Sequence, residues 1–150
     1  MKKIFLTGLI IVLSFFAAIP VFSQIRKIPK AVEETFANQY REASNIDYKD
    51  QLVSVDVHFE LNGENMVASY TNKGIWKETL KSSSFDKLPQ EVKDGFTKSK
   101  YADREVEEVT VMYLPGDVTQ YRLKAKKNGV EKKYLFFNPK GRLLRESITL

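Results

Sequence analysis

A short pattern occurs twice along this chain, and it constrains the fold more than any other feature of the sequence. In each copy a proline follows an aliphatic residue, a valine comes three residues after the proline, and a phenylalanine comes four residues after the valine. The copies occupy residues 28–40 and 88–101, and each ends in a tyrosine. Apolar residues four positions apart share one face of a helix, and proline is tolerated in the first helical turn. The pattern therefore predicts two short amphipathic helices.

Strand signals follow each predicted helix. Residues 53–61 alternate between apolar and polar side chains, which is typical of a half-buried strand. Asn62-Gly63 then predicts a hairpin turn, since both residues adopt positive φ at low cost. Further strands are predicted at 64–71 and 75–80 after the first helix, and at 106–114, 118–127, 130–137 and 142–148 after the second.

This order predicts an α+β fold of two tandem helix-plus-antiparallel-sheet repeats, with the helices on one face and the other sheet face open. The predicted divisions are a signal peptide at 1–23, a first repeat at 24–81, a joint at 82–86 and a second repeat at 87–150. A single repeat of about sixty residues would be marginally stable alone. The two repeats are therefore expected to share one continuous sheet or to pack firmly together as one compact unit.

The first 23 residues have the layout of a secretory signal peptide. Lys2 and Lys3 form a charged start, and residues 4–19 are almost uniformly apolar. The alternative is a retained membrane anchor, but Pro20 interrupts the apolar run and Ser23 supplies a small residue at the cleavage position. Cleavage near Ser23 predicts that the mature protein is periplasmic or secreted.

Composition excludes several kinds of chemistry. The chain has no cysteine, which removes disulfides, thiol nucleophiles and thiolate metal sites. Its formal net charge is +5, and two of the lysines, Lys2 and Lys3, belong to the predicted signal peptide. The remaining surface is only weakly basic, so no nucleic-acid partner is expected.

The turn and helix motifs together resemble one known family. The residues that carry the resemblance are the Leu/Ile-Pro-x-x-Val-x-x-x-Phe opening of each copy, the closing tyrosine, and the Asn-Gly and Lys-Gly turns. They resemble the PepSY-like family, also described as beta-lactamase-inhibitor-like, which occurs mainly in exported proteins of Bacteroidota. The resemblance covers nearly all of residues 28–150 and implies an architecture similar to beta-lactamase inhibitory protein. It implies neither inhibition of a beta-lactamase nor any particular catalytic or binding residue.

No catalytic motif is recognisable in the sequence. A nucleophile elbow and a phosphate-binding glycine loop are both absent. Glu33-Glu34 and Glu107-Glu108 are adjacent pairs, whose side chains point in different directions, unlike the facing carboxylates of a glycosidase. The chain is therefore predicted not to be an enzyme and to need no cofactor.

His58 is the only histidine, and it shares a predicted strand face with Asp56 and Glu60. These three side chains could loosely hold a divalent cation, but structural metal sites usually use four well-placed ligands. A solvated strand face is the favoured interpretation, and no metal site is predicted. His58 remains a candidate for a binding surface.

A basic strip is the other candidate for function. Arg122, Lys124 and Lys126 alternate with less polar residues, so they share one strand face. Such a strip could meet an acidic partner or anionic lipid head groups, or it could simply keep an edge strand soluble. Trp76 is added because tryptophan often contributes much of the energy of an interface. The candidate binding face comprises Arg122, Lys124, Lys126, Trp76 and His58.

These observations predict a non-catalytic exported binding module, inhibitor-like or regulatory in type. Its open sheet face is predicted to bind a protein of the envelope or the extracellular space. One alternative is an envelope-associated protein that binds anionic polymer or lipid peripherally through the basic strip. The other is a weak metal or small-molecule binder centred on His58.

Overall fold

The computed structural model describes residues 27–128 and 131–148, so the predicted signal peptide at 1–23 lies outside the described residues. Two short helices and eight strands follow one another in a simple order. A single 3₁₀ turn, Phe85–Lys87, precedes the second helix. The elements are α1 (Lys30–Gln39), β1 (Ser44–Asp50), β2 (Ser54–Leu61), β3 (Glu64–Thr71), β4 (Trp76–Ser83), α2 (Gln90–Thr97), β5 (Glu105–Leu114), β6 (Val118–Lys127), β7 (Glu131–Phe137) and β8 (Leu143–Ile148).

All eight strands form one antiparallel sheet, and their spatial order is their order along the chain. The two middle strands, β4 and β5, pair directly, from Thr79 opposite Tyr113 to Ser83 opposite Val109. Of the two arrangements expected from the sequence, the continuous sheet is therefore the one that the chain adopts.

The predicted α+β fold of two tandem helix-plus-sheet repeats is wrong. The described residues form a mainly β fold, one eight-stranded sheet with two short helices of ten and eight residues. The predicted joint at 82–86 begins within β4, where Ser82 and Ser83 are paired with β5. Because backbone hydrogen bonds run without interruption from β4 to β5, the sheet does not separate into two sheets. The division into 24–81 and 87–150 stays a prediction.

Both helices pack on the same face of the sheet. Val32 and Phe36 of α1 are buried in a core cluster with inward-facing residues of β2 and β3, among them Val57 and Tyr70. Val92 and Phe96 of α2 are buried in a second cluster, which contains residues of β5, β6 and β7. Side chains directly opposite each other on neighbouring strands project from the same face. The register through β4 therefore places both clusters on one side of the sheet.

Local sequence explains most of these elements. The predicted hairpin turn at Asn62-Gly63 is confirmed, since it joins β2 to β3 and both residues have positive φ. The two predicted helices are present, but Pro29 and Pro89 are the N-cap residues that precede the first turn, one position earlier than predicted. Strand β1 was not expected, because Ser44–Asp50 is mostly polar and exposed and shows little apolar alternation. It forms one edge of the sheet by pairing with β2.

Candidate binding face

The face of the sheet opposite the helices carries most of the predicted binding residues. Arg122, Lys124 and Lys126 alternate along β6 with Leu123 and Ala125, which are fully buried in the core beneath α2. The three basic side chains must therefore project from the opposite face. We call this surface the helix-free face.

The helix-free face is concave at its centre. A depression of about 440 Å³ extends across it from β2 to β6. Val67 and Leu80 supply apolar surface, whereas Ser82 and Thr110 supply hydroxyl groups. His58 lies on the β2 side of the depression and Arg122 on the β6 side, with Glu108 nearby. The sheet thus brings two of the predicted residues, His58 and Arg122, to one site.

Arg122 is the arginine that lines this depression, and neutral groups orient it. Its Nη2 donates a hydrogen bond of 3.2 Å to Oγ1 of Thr110, and its guanidinium lies 5.0 Å from the centre of the Tyr134 ring. Within the described part of the chain, no carboxylate forms an ion pair with it. The guanidinium is therefore oriented by neutral groups and retains donors for an external anion.

The other two basic residues are neutralised within the sheet. Nζ of Lys124 lies 2.8 Å from a carboxylate oxygen of Glu108. Nζ of Lys126 lies 3.3 Å from Glu107, which also pairs with Lys132 at 3.0 Å. The hydrogen bond with Glu108 raises the pKa of Lys124, and the hydrogen bond from Lys132 lowers the pKa of Glu107. The predicted basic strip is therefore a surface of alternating charge, with Arg122 as the exception.

His58 is exposed on the helix-free face, but its carboxylate neighbours have other partners. Asp56 accepts a hydrogen bond of 2.6 Å from the Ser69 hydroxyl, and Glu60 accepts one of 2.9 Å from the Asn45 amide. Among the described residues, no group of three or more His, Cys, Asp or Glu side chains is placed to hold a metal ion. His58 contributes an uncrowded imidazole at one side of the depression.

Trp76 lies apart from the other candidate residues. It packs against the core cluster beneath α1, and its Nε1 donates a hydrogen bond of 2.9 Å to Oγ1 of Thr79. A register shift between β3 and β4 places Trp76 opposite Tyr70, which is a core residue. Trp76 is therefore part of the helix-covered side and shares no surface with Arg122.

Two apolar residues of the helix-free face were not anticipated. Met112 on β5 and Phe136 on β7 are only 6% and 4% exposed, although neither α1 nor α2 covers this side. The guanidinium carbon of Arg145 lies 3.4 Å from the centre of the Phe136 ring and covers it. The sequence does contain a signal for this, because the uninterrupted run Tyr134–Phe137 places large apolar residues on both faces of β7.

Comparison with known proteins places the chain in a group of related folds. A family model described as "putative beta-lactamase-inhibitor-like, PepSY-like" matches residues 53–145. No curated protein matches the chain. Within residues 27–128 and 131–148, no helix has the length and hydrophobicity needed to cross a bilayer.

Solved structures from Bacteroides species share the fold. A DUF2874 family protein from Bacteroides ovatus is 26% identical, with a TM-score of 0.75 over 82% of this chain and 89% of that one. A BLIP-like protein from Bacteroides fragilis is 20% identical, with a TM-score of 0.77 over 84% and 89%. A "putative periplasmic" protein from Bacteroides eggerthii is 23% identical, with a TM-score of 0.72 over 82% and 90%. The similarity extends over nearly the whole length of each relative.

Proposed function

The chain belongs to the PepSY-like family of beta-lactamase-inhibitor-like proteins, and from this premise we propose that it is a non-catalytic, exported binding module whose helix-free face binds a protein of the cell envelope. The family name describes a binding type of protein, and a BLIP-like structure has a similar fold. The proposed location follows from the signal-peptide pattern at 1–23 and agrees with the periplasmic description of the relative from Bacteroides eggerthii.

One observation carries the proposal, namely the depression on the helix-free face with Arg122 at its side. Arginine is a residue type typical of hot spots in protein interfaces. Arg122 is oriented by a hydrogen bond and an aromatic ring, and it forms no ion pair among the described residues. Val67 and Leu80 supply the apolar surface that an interface centre needs, and hydroxyl groups lie beside them. The depression therefore suits a protruding segment of a partner that carries a carboxylate.

Charge distribution on the same face favours a defined orientation of the partner. Asp56 and Glu60 lie on β2, whereas Arg122 and Arg145 lie towards the other side of the sheet, on β6 and β8. A face that changes from acidic to basic guides a partner of complementary charge into one register. The same gradient is poorly suited to a uniform anionic polymer.

The two alternative functions have weaker support. Binding of anionic polymer or lipid through the basic strip would require free cations, but Lys124 and Lys126 are paired with Glu108 and Glu107. A metal-centred function would need ligands around His58, whereas Asp56 and Glu60 are engaged by Ser69 and Asn45. Protein binding at the depression therefore remains the proposal.

The first test reverses the charge at Arg122. The tagged wild-type protein, the Arg122→Glu variant and the Lys98→Glu variant are expressed in the native cell and crosslinked, and captured partners are quantified by mass spectrometry. Lys98 lies exposed at the end of α2, on the opposite side of the sheet, so it controls for the change in net charge. We expect Arg122→Glu to weaken capture of a specific partner by about a hundredfold, while Lys98→Glu leaves the partner bound.

Equal capture by both variants would show that Arg122 does not contact the partner. Loss of capture with Lys98→Glu but not with Arg122→Glu would show that the partner binds the helix-covered side instead. Circular dichroism and the melting temperature of each variant establish that the sheet is intact.

A further inference from the structure

A row of residues connects the depression to the far edge of the helix-free face. Thr110, Arg122, Phe136 and Arg145 lie directly opposite one another on β5, β6, β7 and β8. Residues in such a register project from the same face of a sheet. Thr110 and Arg122 also line the depression, so the row extends from the depression to the edge strand β8. We call these four residues the arginine row.

Aromatic rings orient both guanidinium groups of the arginine row. Cζ of Arg145 lies 3.4 Å from the centre of the Phe136 ring, and Cζ of Arg122 lies 5.0 Å from the centre of the Tyr134 ring. A guanidinium that contacts a ring through its planar face keeps the N–H donors along its edge available. Phe136 is almost fully buried, so packing fixes the ring that holds Arg145. Both arginines therefore have a defined orientation and retain hydrogen-bond donors.

Neither arginine is neutralised by an acid. Among residues 27–128 and 131–148, no carboxylate forms an ion pair with Arg122 or Arg145. The β5–β8 half of the helix-free face carries three lysines and three glutamates besides the two arginines, namely Lys124, Lys126, Lys132, Glu105, Glu107 and Glu108. The glutamates balance the lysines, so the positive charge left on this half belongs to the arginine row.

The remaining acids of these strands and their turns lie away from the arginine row. Glu131 pairs with Arg104, and Glu146 pairs with Lys133 on the helix-covered side. Asp117 lies in the β5–β6 turn, before the first residue of β6. The two guanidinium groups therefore stay open to an anion from outside the chain.

The other half of the face argues against an extended polyanion as the ligand. Four acids lie on it from β1 to β4, namely Asp47, Asp56, Glu60 and Glu78. Its lysines are Lys49, which is paired with Asp47, and Lys77, beside the register shift of β4, so acids outnumber them. An anionic polymer or bilayer laid over the sheet would meet these acids. A protein segment, in contrast, can place carboxylates on the arginine row alone.

The spacing of the arginine row defines what such a segment needs. Arg122 and Arg145 are separated by one intervening strand, so their Cα atoms are about 10 Å apart, a distance that about three residues of an extended segment span. Carboxylates match the paired N–H donors of a guanidinium. We propose that the arginine row recognises a diacidic segment of the partner, with one carboxylate on Arg122 and the second, about three residues along, on Arg145. Because the same partner fills the depression, this inference rests on the function proposed above.

NMR titration with defined peptides tests the chemistry of the arginine row. The probe is acetyl-Gly-Glu-Gly-Gly-Glu-Gly-amide, added to the ¹⁵N-labelled protein at about 0.1 M salt. Control peptides replace one or both glutamates by glutamine. We expect the Nε–H signals of Arg122 and Arg145 to shift with the diacidic peptide. The peptide with one glutamate should bind about tenfold more weakly, and the peptide with none should shift neither signal.

Arginine variants separate the row from other cations. Arg145→Gln should weaken binding of the diacidic peptide about tenfold. Arg145→Met keeps an apolar chain over Phe136 and should have the same effect, so it keeps the test valid if the glutamine variant fails to fold. Arg41→Gln is the matched control and should bind like the wild type, since Arg41 is exposed after α1, near the β2–β3 turn.

Capture from cells connects the peptide result to the partner. Arg145→Gln and Arg41→Gln join the crosslinking experiment described above for Arg122→Glu. We expect Arg145→Gln to weaken capture of the same partner about tenfold and Arg41→Gln to leave it bound.

Several results would overturn the inference. They are a shift at neither or only one of the two arginines, equal binding of the peptides with one and two glutamates, or equal losses in Arg145→Gln and Arg41→Gln. Tighter binding of dextran sulfate than of the diacidic peptide, abolished by Arg145→Gln, would assign the row to an anionic polymer. If Arg122→Glu abolishes capture and Arg145→Gln does not, the inference fails and the proposed function stands. If neither variant affects capture, the proposed function fails as well.

Discussion

At the scale of single residues, the hydroxyl of Thr79 connects the helix to the sheet. Thr79 is 1% exposed, and it is the buried polar residue of the described core. Its Oγ1 lies 2.6 Å from the Tyr40 hydroxyl and accepts a hydrogen bond of 2.9 Å from Trp76 Nε1. Burial raises the pKa of Tyr40 above its ordinary value. The Thr79 hydroxyl thereby supplies a hydrogen-bond partner to the polar groups of two aromatic residues that lie far apart in sequence.

Replacing Thr79 by valine tests this network. The variant keeps the volume of the side chain but leaves the Tyr40 hydroxyl and the Trp76 N–H without their partner. We expect a loss of about 1–3 kcal/mol in the free energy of unfolding, measured by urea titration. Thr79→Ser keeps the hydroxyl and is the matched control, with a smaller loss from the missing methyl group. If the valine variant is as stable as the wild type, the network does not stabilise the fold.

Single residues also show what the sequence leaves undetermined at the candidate site. Strict alternation from buried Thr79 would place Trp76 on the helix-free face. The register shift between Ser69 and Tyr70 instead turns it to the helix-covered side. Likewise, the sequence shows that Lys124 and Arg122 share a face, but only the pairing of β6 with β5 shows that Glu108 neutralises the lysine. Bulges and cross-strand partners depend on tertiary contacts, so the difference between these two cations was not predictable.

At the scale of elements, the signals of the sequence differ in strength. Both helices and the Asn62-Gly63 hairpin follow from local chemistry, since Val and Phe four residues apart define a helix face and Asn-Gly defines a turn. Strand β1 had no such local signal, because its residues are mostly polar and exposed. It forms a strand through backbone pairing with β2. The predicted fold class was wrong because the serine-rich segment at 82–86 was interpreted as a joint between two repeats. Part of this segment, Ser82 and Ser83, belongs to β4 and pairs with β5.

At Gly95 in α2, helix propensity and packing predict opposite effects of a substitution by alanine. Glycine inside a helix costs about 1 kcal/mol relative to alanine, so propensity alone predicts that Gly95→Ala stabilises the protein. The structure gives the opposite expectation, because a Cβ at Gly95 would overlap the backbone carbonyl of Gly141 in the β7–β8 turn. We expect a net loss of roughly 1–3 kcal/mol in the free energy of unfolding, since the turn must move off the helix.

The control for Gly95 is Gly63→Ala, in a turn where a Cβ would meet no atom within 4 Å. This variant should lose only about 1 kcal/mol in the free energy of unfolding, because alanine disfavours the left-handed backbone of Gly63, φ 75°. Thermal unfolding of both variants, followed by circular dichroism, makes the comparison. A higher melting temperature for Gly95→Ala would mean that the close contact between α2 and the β7–β8 turn is absent.

At the scale of the whole molecule, the two sides of the sheet differ in what packs against them. One side is covered by α1 and α2 and contains both core clusters. The other side is covered by no helix of the described residues and carries the depression beside Arg122 and His58. Since the sheet is continuous from β1 to β8, this surface is a single concave face rather than two smaller ones. That arrangement is the basis for assigning protein binding to the helix-free face.

Site-specific photocrosslinking in living cells tests this assignment most directly. A photoreactive phenylalanine replaces Ser82, which is exposed within the depression, or Glu34, which is exposed on α1. We expect a discrete crosslinked protein from position 82 that disappears when Arg122→Glu is added, and none from position 34. A crosslinked partner from position 34 but not from position 82 would contradict it, since the helices would then form the binding surface.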